Sequence, residues 1–357
     1  MKLTKTVLAG KLPIGGGARI SVQSMTNTDT RDISATAGQI KQLALAGCDI
    51  VRVSVYDQDC AKAVRGLKDI SPVPLVADIH FDYSLAISAI EHGIDKLRIN
   101  PGNLQNIDEV RAVADCAKAH HIPIRVGVNS GSVPRDILAR DGGLTAQGLV
   151  DSALGHVRLL EQQGFEDIVL SMKASEVRLM VDAYRLASRT FDYPLHLGVT
   201  EAGLPGQGTI KSAVGIGALL LDGIGDTIRV SLTGTPLNEP QAAIRILKAV
   251  GLSGGLELIS CPTCGRTEVD IEGIAMRIEE ATKHITTPFK VAIMGCIVNG
   301  PGEAKGADIA FCGGKNGSAL YVKGSFVKKI VGDPVPELLK MIDKHIEENR
   351  QSGDFNE

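Results

Sequence analysis

Three cysteines and one glutamate in the C-terminal third of the chain have the residue types and spacing of metal ligands. Cys261 and Cys264 enclose a Pro-Thr dipeptide, and Cys296 and Glu303 lie in a later segment rich in Gly and Pro. A CxxC turn directs two thiolates at one centre, and iron–sulfur clusters are bound by thiolates from such turns. Three thiolates leave one iron of a four-iron cluster without a protein sulfur. Glu303 is the candidate for that place, as a harder and more easily displaced ligand.

Two other interpretations of these cysteines stay open. A CxxC pair is also found as half of a structural zinc site or as a redox dithiol. Zinc would usually require a fourth cysteine or a nearby histidine, and the histidine nearest to Cys296 is His284, in a segment predicted to be helical. A thioredoxin-like dithiol is typical of an early position in a small domain, whereas Cys261 lies late in a long chain. We therefore favour a [4Fe–4S] cluster, then zinc, then a dithiol.

Composition and charge argue against several classes of protein. The chain has 357 residues, 44% hydrophobic and 22% charged, which is ordinary for a globular protein. Its formal net charge of −3 gives no indication of a nucleic acid or a membrane surface as partner. The longest apolar run, around residues 213–221, is too short to span a membrane. Seven cysteines without a disulfide-framework spacing, and no signal peptide, predict a cytoplasmic location.

Short β-rich runs alternate with amphipathic helical stretches over the first two thirds of the chain. Eight such runs recur, which is close to the pattern of a (β/α)₈ TIM-type barrel of about 250 residues. A doubly wound open sheet is the alternative, but eight evenly repeated units favour closure. We predict a barrel over residues 1–250 and a small α+β domain that carries the cluster over residues 256–357. The predicted barrel strands are 20–24, 50–55, 75–79, 96–99, 124–128, 167–170, 195–199 and 227–232.

Basic side chains lie at five of the eight predicted strand ends. In a TIM-type barrel the C-terminal strand ends build the active site, and the interior is mostly apolar. Five cations in one mouth would repel one another unless an anion lay between them, and Arg offers paired donors that match phosphate oxygens. The sequence therefore predicts a polyanionic small-molecule ligand, with a diphosphate as the natural choice. The five cations are Arg52, Arg98, Arg125, Lys173 and Arg229, accompanied by Asp78, His80, Asn129, Thr200, Glu201 and Ser231.

The two cysteine segments resemble those of one enzyme family. Residues 259–266 read Ile-Ser-Cys-Pro-Thr-Cys-Gly-Arg, and residues 294–304 read Met-Gly-Cys-Ile-Val-Asn-Gly-Pro-Gly-Glu-Ala. These stretches, and nearly the whole chain, resemble the bacterial 4-hydroxy-3-methylbut-2-enyl diphosphate synthases of the non-mevalonate isoprenoid pathway. The resemblance implies an iron–sulfur oxidoreductase with a [4Fe–4S] cluster. It implies the cluster ligands Cys261, Cys264, Cys296 and Glu303.

The resemblance also implies a substrate and its contacts. In the family the barrel binds 2-C-methyl-D-erythritol 2,4-cyclodiphosphate, and the reaction opens its ring reductively to 4-hydroxy-3-methylbut-2-enyl diphosphate. Glu201 is the candidate for proton handling near the reacting carbons, and a carboxylate that merely pairs with an arginine is the alternative. Glu303 would yield its place on the cluster to a substrate oxygen. The positions that match substrate contacts are Arg52, Arg98, Arg125, Asn129, Lys173, Thr200, Glu201, Arg229 and Ser231.

Neither predicted domain suffices for this reaction, because the barrel lacks a redox group and the C-terminal domain lacks an obvious substrate pocket. The cluster is therefore expected to approach the barrel mouth, and the resemblance implies a homodimer in which one subunit's cluster domain caps its partner's barrel. A cluster passes one electron per step, so flavodoxin or ferredoxin is expected to deliver electrons serially.

Two functions from other classes stay open. One is an aldolase- or isomerase-type barrel that uses Lys173 as a Schiff-base amine beside a structural zinc domain. The other is a non-catalytic iron–sulfur carrier or sensor. The converging cations argue against the carrier, because a carrier needs no phosphate pocket.

Overall fold

The chain forms two compact units, Met1–Val250 and Gly251–Glu357. The structure is a computed structural model and describes residues 3–80, 82–99, 106–296, 302, 304–315 and 317–352. Each unit contains its own sheet and its own apolar core. Within the described ranges, no helix combines the length and the apolar character needed to cross a membrane.

The first unit contains a two-stranded hairpin and an eight-stranded parallel sheet. The strands are β1 (Val7–Ala9), β2 (Leu12–Ile14), β3 (Ser21–Met25), β4 (Ile50–Ser54), β5 (Leu75–Ile79), β6 (Lys96–Ile99), β7 (Ile124–Asn129), β8 (Ile168–Lys173), β9 (His196–Leu197) and β10 (Thr227–Ile228). The sheet order is β8-β7-β6-β5-β4-β3-β10-β9, and a parallel bridge between Leu170 and Leu195 joins β8 to β9. The sheet closes on itself, and the predicted (β/α)₈ barrel is confirmed.

Helices surround this barrel because their apolar faces pack on the outside of the sheet. In one of them, Cys60, Val64 and Leu67 are buried at the spacing of a single helix face. Several helices begin at an Asp or Asn whose side chain accepts a hydrogen bond from a backbone N–H of the first turn. The helices are α1 (Ile33–Leu45), α2 (Gln58–Ile70), α3 (Tyr83–Glu91), α4 (Ile107–Ala119), α5 (Arg135–Asp141), α6 (Ala146–Glu161), α7 (Val177–Thr190), α8 (Pro205–Leu221) and α9 (Asn238–Ala249).

The N-terminal hairpin closes one end of the barrel. Its buried residues form an apolar cluster with Ile50, Val76 and Val169, which lie near the starts of β4, β5 and β8. The hairpin is therefore at the N-terminal end of the strands, opposite the end at which such barrels place their active sites. This hairpin could not be predicted from the sequence, because three-residue strands are too short to show a periodicity.

The second unit is a five-stranded sheet with two helices on one face. Its elements are β11 (Leu256–Ser260), α10 (Ile271–Ala281), β12 (Phe289–Met294), β13 (Ile309–Cys312), β14 (Ser318–Val322), β15 (Ser325–Ile330) and α11 (Val335–Ser352). Strands β11, β12 and β13 are parallel, and β14 and β15 continue the sheet antiparallel. Helices α10 and α11 bury Ile278 and Leu338 against the sheet. The predicted small α+β domain is confirmed.

Candidate active site

Cationic side chains from five strands face one another inside the barrel. Burial lowers the pKa of Lys173 well below its ordinary value, and Arg125, Arg229, Arg52 and Arg98 lower it further. These residues stand at β4, β6, β7, β8 and β10, several of which are not neighbours in the sheet. Side chains from separate strands repel one ammonium group only when they point into the same interior. The structure thus brings together the five cations that the sequence singled out.

These cations are shielded from water. Arg98, Arg125 and Lys173 are 5%, 2% and 7% exposed. Burial lowers the pKa of Arg52 to about 9, an effect that Asp78 opposes and that Arg229 and Arg98 reinforce. Because a guanidinium stays protonated in proteins, such a shift reflects the free-energy cost of holding like charges together in a buried place. A bound anion would remove much of that cost.

Asp78 is the buried counter-charge for part of this group. Its Oδ1 accepts a hydrogen bond from Arg98 Nη1 at 3.0 Å, and its Oδ2 lies 3.0 Å from His80 Nε2 and 3.8 Å from Arg52 Nε. Burial alone would raise the pKa of Asp78, but Arg52, His80 and Arg98 outweigh it and hold the pKa well below its usual range. The Arg52 guanidinium also donates to Met25 Sδ, at 2.8 and 3.0 Å.

Glu239 has a similar role on the other side of the mouth, and sequence reasoning missed it. This residue lies in the first turn of α9 and is 4% exposed. Its Oε2 accepts from Ser24 Oγ at 2.7 Å and from Arg229 Nε at 3.4 Å, and its Oε1 accepts from the Leu232 N–H at 3.2 Å. Glu239 therefore ties the end of β10 to β3 and orients Arg229.

Two glycines make room for the cations. A Cβ on Gly127 would lie 3.3 Å from Arg98 Nε. A Cβ on Gly198 would lie 2.7 Å from Lys173 Nζ and 2.6 Å from the Arg229 carbonyl oxygen, which is too close for any side chain. Gly198 therefore lets the Lys173 ammonium lie against the backbone of the strand-end segment after β9.

The remaining predicted barrel residues lie at or after strand ends, whereas Arg52 and Arg125, which the sequence placed at strand ends, lie within β4 and β7. Asn129 ends β7, and its N–H donates to Ser132 Oγ at 2.9 Å. The Thr200 N–H donates to the Ala174 carbonyl oxygen at 3.2 Å, which joins the segments that follow β8 and β9. Ser231 follows Arg229 by two residues and is half-buried, as are Asn129 and Thr200.

Glu201 has an unusual backbone conformation. It is exposed and has a φ of 51°, in the left-handed region that few residues other than glycine adopt. Such conformations cost free energy and cluster at functional sites. No ion pair between Glu201 and an arginine is found in the part of the chain that the structure describes.

In the second unit, Cys261 and Cys296 lie at one edge of the sheet. Cys261 directly follows β11 and Cys296 lies two residues after β12, its parallel neighbour. The Cys261 N–H donates to the Ile293 carbonyl oxygen at 3.2 Å, and the Gly295 N–H donates to Cys261 Sγ at 3.1 Å. Hydrogen bonds to sulfur are one means by which proteins tune iron–sulfur potentials.

Of the other two predicted ligands, Cys264 lies among the described residues. Cys264 is exposed, and its N–H donates to Thr267 Oγ1 at 3.1 Å. Glu303 lies outside the described residues. Among the residues that are described, no group of three or more His, Cys, Asp or Glu side chains is arranged to hold a metal ion. The described thiol donors fit an iron–sulfur cluster in type, and two of them, Cys261 and Cys296, share one edge of the sheet.

A further cysteine lies beside these ligands. Cys312 ends β13 and is fully buried in an apolar cluster against which Cys261 packs. Burial raises the pKa of the Cys312 thiol to about 11, and Cys296 and Cys261 contribute to the shift. The sequence could not indicate this proximity, because it depends on the pairing of Cys312 with Met294 across β13 and β12.

Comparison with known families accounts for both units. A model of the GcpE TIM-barrel domain matches residues 4–244, and a model of the GcpE protein C-terminal domain matches residues 257–345. The chain belongs to the GcpE family. The family assignment covers the cation-lined barrel and the unit with the candidate ligand cysteines alike.

Bacterial members of the GcpE family are similar to this chain over nearly its whole length. A protein from Caldanaerobacter subterraneus subsp. tengcongensis is 53% identical over 97% of this chain and 98% of its own. One from Clostridium perfringens is 53% identical over 96% and 99%, and one from Ruminiclostridium cellulolyticum is 55% identical over 95% and 97%. All three are named 4-hydroxy-3-methylbut-2-en-1-yl diphosphate synthase (flavodoxin).

A solved structure with a similar fold is the dihydropteroate synthase of Yersinia pestis. It superposes with a TM-score of 0.51 at 14% sequence identity, and the match covers 69% of this chain and 97% of that one. At this identity the likeness concerns the fold alone. It agrees with the barrel architecture of the first GcpE unit.

Replacing Asp78 by Asn should weaken the barrel in a pH-dependent way. Because the folded-state pKa of Asp78 is lowered, its carboxylate contributes stability above about pH 4, and that contribution is lost as the pH falls. At pH 7 we expect Asp78→Asn to lower the free energy of unfolding by roughly 3–5 kcal/mol, since it removes one partner of buried ion pairs. On acidification the variant should lose less stability than the wild type.

Denaturant unfolding at about pH 7 and about pH 3 measures both effects. The matched control is Asp222→Asn, which breaks an exposed ion pair with Arg185 on the same unit. Equal behaviour of the two variants would contradict a buried role for Asp78.

Replacing Glu239 by Gln should disturb Arg229 without unfolding the barrel. The amide oxygen can still accept from the Leu232 N–H and the amide NH2 can donate to Ser24 Oγ, but the charge and the acceptor opposite Arg229 are lost. We expect roughly a tenfold loss in kcat/KM, the equivalent of about 1.4 kcal/mol, with the change mainly in KM. Steady-state kinetics test this, with Glu109→Gln in the first turn of α4 as the control. Unchanged kinetics in Glu239→Gln would exclude the orienting role.

Proposed function

We propose that this chain is a 4-hydroxy-3-methylbut-2-en-1-yl diphosphate synthase that takes its electrons from flavodoxin. The reaction opens the ring of 2-C-methyl-D-erythritol 2,4-cyclodiphosphate by breaking a carbon–oxygen bond to phosphate. It consumes two electrons and protons, and a hydroxyl leaves as water, so that the product is a linear allylic diphosphate. Relatives with that printed name match this chain at 53% identity over nearly all of its length.

The observation that carries the proposal is the group of five buried or half-buried cations that face one another in the barrel. Arg98, Arg125 and Lys173 lie deepest, and Arg52 and Arg229 complete the group. Among the described counter-charges, Asp78 pairs with Arg52 and Arg98, and Glu239 pairs with Arg229. The group therefore retains an excess of positive charge, which a diphosphate would neutralise through charge-assisted hydrogen bonds.

Neutral side chains at the strand ends complete the proposed substrate site. Asn129, Thr200 and Ser231 are half-buried and present amide and hydroxyl groups at the ends of β7, β9 and β10. Such groups can donate to phosphate oxygens or accept from a substrate hydroxyl. We assign them to fixing the orientation of the sugar-derived ring, since the cations already supply most of the electrostatic attraction.

We assign proton handling to Glu201. Its backbone is held in the left-handed region at the loop that joins β9 to α8, directly after Thr200. A carboxylate beside phosphate-binding groups can hold or release a proton next to the reacting carbons. Because no described arginine neutralises it, Glu201 is available for that exchange.

The proposed cofactor is a [4Fe–4S] cluster, which Cys261, Cys264, Cys296 and Glu303 would hold. When bound, such a cluster supplies electrons singly. The chain's own contribution is to bury Cys296 and to place the Gly295 N–H against Cys261 Sγ.

The proposal includes a cytoplasmic homodimer in which the C-terminal unit of one subunit serves the barrel of its partner. This part of the proposal rests on how the candidate groups are distributed between the two units. Phosphate-binding groups lie in the first and thiol ligands in the second, so catalysis needs both. Family membership also disfavours a zinc-dependent aldolase-type enzyme and a non-catalytic carrier.

Metal analysis of anaerobically purified protein tests the cofactor. We expect about four iron and four sulfide per chain with a brown chromophore. Cys264→Ser should lose the chromophore, whereas Cys116→Ser, which changes a half-buried thiol on α4, should retain it. One zinc per chain without sulfide would overturn the cluster assignment. Lys173, as a Schiff-base amine, would then be the candidate catalytic group of the barrel.

Lys173→Met tests the barrel's role separately from the cofactor. Loss of a charge-assisted hydrogen bond should weaken binding of the cyclodiphosphate by about 10- to 100-fold, with the visible spectrum unchanged. Anaerobic calorimetric titration measures the dissociation constant. Lys41→Met, an exposed lysine on α1, is the control. Wild-type affinity in Lys173→Met would exclude Lys173 from the site.

A further inference from the structure

A group of lysines and aromatic side chains lies beside the antiparallel strands β14 and β15 of the second unit. We call it the lysine face, and it consists of Lys305, Tyr321, Lys323, Phe326 and Lys329. Residues that pair across antiparallel strands share a face of the sheet, and Tyr321 pairs with Phe326. Tyr321 packs in the apolar cluster of Cys312, whereas α10 and α11 pack in the other cluster of this unit. Tyr321 and Phe326 therefore lie on the side of the sheet that the two helices do not cover.

The turn between β14 and β15 places two of the lysines side by side. Lys323 and Gly324 form this turn, and a Cβ on Gly324 would lie 3.7 Å from Lys305 Cγ. Lys323 has a φ of 46° and Gly324 a φ of 75°. Two-residue turns with positive φ at both positions favour Asn or Gly. A lysine there costs free energy, and such strain clusters at functional sites.

Nearby acids do not balance the positive charge of the lysine face. Residues 304–332 contain five lysines and one acid, Asp308, whose Oδ2 accepts from the Lys290 N–H at 2.8 Å. Lys305, Lys323 and Lys329 are exposed, and none of them forms an ion pair with a described acid. The lysines of this unit that do form described ion pairs are Lys283, Lys290, Lys328 and Lys344.

An exposed aromatic pair lies among these lysines. Phe326 is 60% exposed, and its ring meets the ring of Tyr321 edge-on with 5.9 Å between the centroids. Strand β15 is an edge strand of the sheet. Lysines on an edge strand protect it from association, but an exposed aromatic ring has the opposite effect. An aromatic centre with a charged rim is the composition of a protein interface.

The lysine face adjoins the thiol edge of the sheet. Lys329 pairs with Ala319, and Ala319 pairs with Cys312. Because neighbouring strands lie about 4.8 Å apart, Lys329 is about 10 Å from Cys312 along this row. Cys261 packs against the same apolar cluster as Cys312. A protein bound to the lysine face would therefore lie close to the thiols and leave the edge itself to the substrate.

The size and charge of the lysine face select the kind of partner. Electron-transfer complexes are weak and have some of the smallest specific interfaces. Complementary charge serves them by accelerating the encounter rather than by prolonging the complex. Three unpaired lysines around one aromatic pair match such an encounter with an acidic protein.

We propose that the lysine face is the docking surface for an acidic one-electron carrier protein. The inference rests on the proposed function, in which that carrier is a flavodoxin. In each encounter the reduced carrier loses one electron and the cluster gains it, so that two encounters supply the two electrons of the reaction. Lys305, Lys323 and Lys329 contact carboxylates of the carrier, and Phe326 packs against its apolar surface.

Stopped-flow mixing of a reduced, acidic bacterial flavodoxin with the full-length, cluster-loaded enzyme tests the surface. Flavin oxidation is followed anaerobically at low ionic strength. Lys329→Glu and Lys305→Glu should each lower the second-order rate constant by about tenfold, and added salt should shrink the difference. The matched control is Lys340→Glu, which reverses the charge of an exposed lysine on α11 and should keep the wild-type rate. Equal rates in all three variants would overturn the proposal.

Carbodiimide cross-linking of the wild-type enzyme to flavodoxin gives an answer that does not depend on a variant. This reagent joins carboxylates to lysines that they contact, and mass spectrometry should find the links at Lys305, Lys323 or Lys329. Links confined to other lysines, such as Lys340, would overturn the surface. Links from the lysine face to a second copy of the enzyme instead of flavodoxin would assign the face to self-association and also overturn the proposal.

The docking surface and the proposed function can fail separately. Dithionite reduces proteins without a docking surface, so turnover of the cyclodiphosphate with dithionite as reductant tests the function alone. That turnover should be the same in Lys329→Glu and in the wild type. Turnover with dithionite, together with an unchanged rate of flavodoxin oxidation in Lys329→Glu and Lys305→Glu, would reject the surface and leave the enzymatic function standing.

Discussion

The repulsion between buried like charges is the constraint on which the barrel interior depends. Arginine and lysine side chains point from five strands into a space that water barely reaches, and each lowers the pKa of its neighbours. The fold tolerates this because Asp78 and Glu239 offset part of the charge and because Gly198 lets Lys173 approach the backbone. The positive charge that these carboxylates do not offset provides binding free energy for an anion. Stability given up in the free protein is thus regained on binding.

Both units build their candidate sites on parallel strands. In the barrel the cations lie on β4, β6, β7 and β8 and directly after β10, and in the second unit Cys261, Cys296 and Cys312 lie at or just after the carboxyl ends of β11, β12 and β13. Parallel strands bring segments that are distant in sequence to a common edge, and the loops there are free to carry chemistry. The same geometric rule therefore accounts for a phosphate-type site and a thiol site in one chain.

The parts of the site that could be predicted from sequence are those fixed by local pattern. Alternating β-rich and amphipathic runs indicate the barrel, and Arg52, Arg98, Arg125 and Lys173 stand out because they interrupt otherwise apolar strands. Glu239 could not be recognised in this way, since its contact with Ser24 joins residues far apart in the chain. The proximity of Cys312 to Cys261 could not be predicted either, because it depends on strand register.

The barrel strands share the fewest paired residues at β9 and β10. Each of these strands has two residues, and β10 pairs with β3 and with β9 through two residue pairs apiece, whereas β7 and β8 share six. Opening the seam between β8 and β3 breaks few backbone hydrogen bonds, so local unfolding should begin there rather than in the rest of the wall. The loops that follow these two strands carry Thr200, Glu201 and Ser231. Four of the five cations therefore lie on strands of four to six residues, whereas Arg229, Thr200, Glu201 and Ser231 follow the two short strands, where local opening is easiest.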